Sequence, residues 1–185
     1  IHPDVLQTVP HDVDGAGGSD TISVTGDASI TGAVRGDGEG QDVSGAFDDA
    51  DTITISTTGA VGSVHGGTGG DTVVLSGGTI GSTAGDDGAD QITLDGATVS
   101  GAIDGGTGAD TIRLNSGSVL DVNGGAGNDA VTLDGATVLG TIDTGDNVDT
   151  VSLLSGSVDA VDTGGSADMI TLDGAIVAGT IFAGD

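Results

Sequence analysis

A chain of 185 residues with 38 Gly, no Cys, Trp or Tyr and two Phe is long enough for one domain but lacks the large side chains that usually fill a globular core. Its 29 acidic residues face two arginines, Arg35 and Arg113, and no lysine, giving a formal net charge of −27. That balance excludes nucleic-acid binding through a basic patch and contact with an anionic membrane surface, and it implies a cation as partner.

The absence of Cys removes any disulfide framework or thiolate metal site. No stretch approaches the roughly 18 apolar residues of a membrane span, so membrane insertion is not expected. The 35% apolar content, mostly Val, Ile, Ala and Leu, argues against a disordered acidic linker and suits thin, repetitive β-structure.

The chain opens IHPDVLQTVP, without an initiator Met or a basic and apolar leader, and reads as a mature piece or an excised segment of something longer. Residues 1–13 are expected to form an N-terminal tail or cap, and 14–185 a repeat solenoid.

Within that solenoid an aspartate precedes each short apolar run: Asp20, Asp51, Asp71, Asp90, Asp110, Asp129, Asp149 and Asp168. From Asp51 onward the intervals alternate between 20 and 19, so two neighbouring coils repeat every 39 residues. An internal period near 20 is the mark of a solenoid. The longer 31-residue interval from Asp20 to Asp51 contains RGDGEGQDVSGAF, read as an insertion near 35–47 rather than a lost coil.

Each repeat predicts two short strands. In the first, the residues two and four after the aspartate are apolar in every copy, from Ile22 and Val24 to Ile170 and Leu172, and a period of two places both on the inward face. A small turn such as DGAT (95–98) or NSGS (115–118) leads to a second strand. There the apolar pair lies four apart, as in Val99 and Ile103, or three apart, as in Val119 and Val122; the closer spacing requires a bend or bulge. Laying each coil on the last at roughly 4.8 Å satisfies the backbone ladders in parallel. The expected fold is therefore all-β: a parallel two-sheet β-solenoid, or β-roll, of about eight coils of 19–20 residues.

Stacking the coils also stacks their turn aspartates. Two unit charges about 5 Å apart repel by about 3 kcal/mol at an effective dielectric of about 20, and almost no basic side chain is present to offset this. Ca²⁺, which accepts six to eight irregularly placed oxygens, suits carboxylates and turn carbonyls, and glycine lets the backbone aim those carbonyls. Asp104, Asp143 and Asp162, six residues before turn aspartates, either complete an ion's shell or enter the turn as solvated residues. On the opposite edge, Asp95, Asp134 and Asp173 recur every 39 residues, which either halves the charge density there or is inherited from a duplicated unit.

The turns GGTGGD (66–71), GGTGAD (105–110) and GGAGND (124–129), each followed by an alternating strand, resemble the GGxGxDxUx calcium repeat of RTX proteins; GDDGAD (85–90) and AGGSD (16–20) match it in part. The one-sided distribution of the motif is similar to the 19-residue calcium solenoids of large RTX adhesins. The resemblance implies a parallel β-roll, type I secretion, folding outside the cell, and Ca²⁺ held between neighbouring turns. The ligand set it implies is Gly66, Gly67, Gly69 and Asp71; Gly85, Asp87, Gly88 and Asp90; Gly105, Gly106, Gly108 and Asp110; and Gly124, Gly125, Gly127 and Asp129. Asp20, Asp51, Asp149 and Asp168 join it as turn aspartates of the remaining coils.

The expected function is a non-enzymatic, calcium-stabilised structural segment of an extracellular or cell-surface protein, of the adhesin, biofilm-fibre or surface-layer type, open to homo-polymer formation through its coil ends. Ice binding is the alternative from the outward Thr residues, but its ranks are interrupted by Gln91, Arg113 and Ala130. A second alternative is the secretion or folding module of a larger extracellular hydrolase. For catalysis within the chain, the paired carboxylates Asp48 with Asp49 and Asp86 with Asp87 fall where turn ligands are expected, and His2, His11 and His65 are scattered.

Overall fold

The computed structural model describes residues 8–9, 12–15, 17–37 and 49–184. It is an all-β solenoid of about eight stacked coils in which every strand pairing is parallel. The first strands form one ladder: Thr21–Gly26 pairs with Thr52–Thr57, and that with Thr72–Leu75. The second strands form another, from Ser29–Arg35 through Ala60–Thr68 to Thr79–Asp87. From Gln91 the two merge, because Gln91–Thr107, Thr111–Ala126, Ala130–Asp143 and Thr150–Asp162 each run round the second-edge turn without interruption.

Thr8–Val9 and Val13–Asp14 pair with Ser29–Arg35, so parallel stacking continues into the N-terminal residues. Apart from Asp12, the remainder of 1–13 lies outside the described residues, as does most of the insertion. The residues that flank it are described. The amide of Asp37 donates to the Gly66 carbonyl at 3.3 Å, while Asp49 lies against Gly69, so both flanks lie against one turn of the next coil.

The inward residues of the two ladders build one continuous core. Its columns run Ile53, Val73, Ile92, Ile112, Val131, Val151 and Ile55, Leu75, Leu94, Leu114, Leu133, Leu153 on one sheet, all buried. Facing them are Val61, Ile80, Val99, Val119, Val138, Val158 and a column in which Thr83 stands between Val64 and Ile103. Each column buries apolar surface against the coils above and below, so its stability is cumulative along the stack.

The alternation of 19 and 20 residues has a local cause. Both Val99 with Ile103 and Val119 with Val122 point inward, and the extra residue of the longer coil is absorbed as a register shift between Val119 and Asp121. The same shift recurs between Val119 and Val122 and between Val138 and Thr141. The Asp51 coil is different: Val61 and Val64 are three apart, and its extra residue sits in the Thr57–Gly59 turn instead.

Candidate metal centre

The GGxGxD edge is assembled from three columns. At the second and fourth positions of the turn the backbone takes positive φ in successive coils, as in Gly106 (108°) and Gly108 (125°), a conformation that favours glycine. The degenerate turns keep the shape without it: Asp86 adopts 74° at the second position, and Asn147 (94°) and Ser166 (102°) occupy the fourth.

The third column is the turn aspartates. Asp51, Asp71, Asp90, Asp110, Asp129 and Asp149 are at most 2% exposed. Each Oδ1 accepts a hydrogen bond from the backbone amide of the aspartate one coil earlier, from Asp20 N–H to Asp51 at 2.6 Å through Asp149 N–H to Asp168 at 2.8 Å. The intervening links run between Asp51 and Asp71, Asp71 and Asp90, Asp90 and Asp110, Asp110 and Asp129, and Asp129 and Asp149. Half of each carboxylate is thus satisfied by a peptide N–H of its neighbour, which the sequence did not suggest.

The other half is not. Oδ2 of Asp20, Asp51, Asp71, Asp90, Asp110, Asp129, Asp149 and Asp168 is buried and has no hydrogen-bond partner. Such a column of orphaned carboxylate oxygens is costly unless it meets a proton or a cation. Burial pushes the Asp71 carboxyl up to about 7, opposed by the Asp51 amide and reinforced by the charges of Asp90 and Asp51. Burial likewise raises Asp90 and Asp129 to about 6, and moves Asp51, Asp110 and Asp149 in the same direction.

From Asp20 to Asp129 each orphaned oxygen faces the first glycine of its own turn. A methyl group on Gly66 would lie 2.5 Å from Asp71 Oδ2 and 2.5 Å from the Gly85 carbonyl oxygen of the next coil. On Gly124 it would meet Asp129 Oδ2 at 2.7 Å and the Thr144 carbonyl at 2.8 Å. Gly36, Gly85 and Gly105 repeat the arrangement with Asp51, Asp90 and Asp110. Glycine is needed there for space, because a carboxylate oxygen and a carbonyl from the following coil converge beside its Cα. The donor set is all oxygen, the class Ca²⁺ prefers. Among the described residues no three His or carboxylate side chains converge on one point, so backbone carbonyls would supply the remaining ligands.

Among the other expected ligands, Asp87 does not join this column: it is exposed and accepts from the Thr107 hydroxyl at 2.9 Å. Gly67, Gly69, Gly88, Gly106, Gly108, Gly125 and Gly127 shape the turn through their φ angles, while Gly66, Gly85, Gly105 and Gly124 line the cradle itself. Asp143 and Asp162 accept the amides of Gly145 (3.1 Å) and Gly164 (3.0 Å), closing the turn entry as local Asx-type bonds. Asp37, which the spacing did not single out, accepts both the amide (2.9 Å) and hydroxyl (2.8 Å) of Thr68.

The arginines stand elsewhere. Arg35 pairs with Asp12 at 2.7 Å in the N-terminal coil, and Arg113 lies on the outer face of its strand, three residues past Asp110. No family model, curated protein or solved structure matches the chain.

Proposed function

We propose that the chain is a non-enzymatic, calcium-stabilised structural segment of an extracellular or cell-surface protein, with RTX-like turns and export of the type I kind. The observation that supports it is the column of buried aspartate Oδ2 atoms without partners, those from Asp20 to Asp129 each beside a glycine cradle and a carbonyl of the next coil. Millimolar calcium outside cells matches the affinity range of extracellular oxygen-ligand modules, on the order of 10⁻⁴–10⁻³ M.

The non-enzymatic part rests on how the paired carboxylates are used. Asp86 faces the His65 ring at 3.1 Å and Asp87 holds Thr107, so both serve contacts between coils; Asp48 lies outside the described residues. Far-ultraviolet circular dichroism tests the proposal: chelator should lower the β-sheet signal and millimolar calcium should restore it. A spectrum and melting curve indifferent to both would overturn it.

A further inference from the structure

The cradle beside each turn aspartate is not the same in every coil. Its first position is glycine at Gly36, Gly66, Gly85, Gly105 and Gly124, but it is Thr144 in the Asp149 turn and Thr163 in the Asp168 turn. Both threonines are fully buried. Their backbones keep the ladder, with the Thr144 amide donating to the Asp162 carbonyl and the Thr163 amide to Phe182, each at 3.1 Å. The change is therefore confined to the side chain.

In the glycine coils, the space that a Cβ would fill is bounded by Oδ2 and the next coil's carbonyl. In the last two coils a side chain fills it. The Thr163 hydroxyl is drawn to the Phe182 carbonyl at 3.5 Å, whereas Thr144 Oγ1 is buried without a hydrogen-bond partner. Thr144 lies beside the Asp149 carboxylate without completing a hydrogen bond to it.

We infer that Thr144 and Thr163 act as built-in plugs, placing a neutral hydroxyl where the preceding turns would hold a cation, so that cation binding ends at the Asp129 turn and the last two coils stack without metal. The inference rests on the calcium reading above and adds to it which turns bind. A threonine puts a Cβ, a methyl and a neutral hydroxyl into the space a divalent charge would need, and so excludes water and ion together. The Asp129 cradle stays open, because what the neighbouring coil brings nearest to it is the Thr144 carbonyl.

Counting bound ions tests this. Calcium titrated into the full 185-residue chain, followed by calorimetry and by native mass spectrometry, gives the number bound per chain; circular dichroism in the same buffer reports folding. Thr144→Gly reopens the Asp149 cradle and should raise the count by one, Thr163→Gly should do the same for Asp168, and Thr144→Val, which keeps the bulk without the hydroxyl, should leave it unchanged. If Thr144→Gly does not fold, Thr163→Gly carries the test alone. A folded glycine variant with no additional ion, or a fall in the count on removing the hydroxyl, overturns the plug and shows that the threonine is a spectator or a ligand. A wild-type chain that binds no calcium at all is the separate failure, that of the calcium reading itself.

Discussion

A single aspartate such as Asp110 does two separable things, and substitution can divide them. Its Oδ1 accepts the Asp90 amide, while its Oδ2 is left for a proton or an ion. Asp110→Asn keeps the acceptor and puts an amide NH₂ near the Gly124 carbonyl; it should raise the melting temperature in chelator and abolish the response of that turn to calcium. Asp110→Ala also strands the buried Asp90 amide, a loss of about 1–3 kcal/mol with or without metal. Because the Asp149 cradle is filled, Asp149→Ala should reduce calcium binding less than Asp110→Ala, and equal losses would count against unequal turns. Thr83 offers a contrast without charge. Its hydroxyl is buried without a partner between Val64 and Ile103, so Thr83→Val should stabilise the fold by about 1 kcal/mol in thermal melts.

The turn column as a unit sets the pH dependence. Carboxyls raised on folding, Asp71 to about 7 and Asp90 and Asp129 to about 6, bind protons more tightly in the folded chain than in the unfolded one. Their contribution is present in full below about pH 4, the ordinary Asp range, and is lost as pH rises through 6 to 7. Melting in chelator should therefore fall steadily from pH 4 to pH 8, and calcium should flatten or reverse the trend, since ions replace protons best when protons are scarce. A chelated protein equally stable across that range would remove the buried-carboxylate argument. Much of this edge is legible in the letters: the aspartate spacing and the Gly-rich turns identify the column, and Thr144 and Thr163 are visible as the T of TGDNVD and TGGSAD. The amide-to-carboxylate links are not, because they join residues 19 to 31 apart through a turn whose shape only the folded backbone defines. The second edge is similar: the 39-residue recurrence of Asp95 and Asp134 is readable, but not that Ser116 (3.2 Å) and Ser155 (3.0 Å) of the next coils donate to them.

Along the rod as a whole, the alternation of inward apolar pairs was enough to specify the parallel stack, since one column of Ile, Val and Leu can only continue on the next. What the alternation could not locate is where extra residues go, because a strand bulge and a turn extension cost the core equally little: the Asp51 coil puts its surplus beside Thr57, and the Gln91–Thr107 coil puts it in the strand. The last coil presents Leu172, Ile176 and Phe182 to solvent, an apolar end suited to another coil. If copies of this segment stack there, light scattering with calcium should show mass rising with concentration, and Phe182→Asp should suppress the rise; a constant monomer mass removes end-to-end stacking from the proposal. The aspartate links give such stacking a direction. From Asp20 to Asp149, each amide in the column is served by a carboxylate from its C-terminal side. Two copies meeting like end to like end would set donors against donors or acceptors against acceptors, whereas head-to-tail contact extends the pattern, so any filament built this way is polar, with ends that differ chemically and grow at different rates.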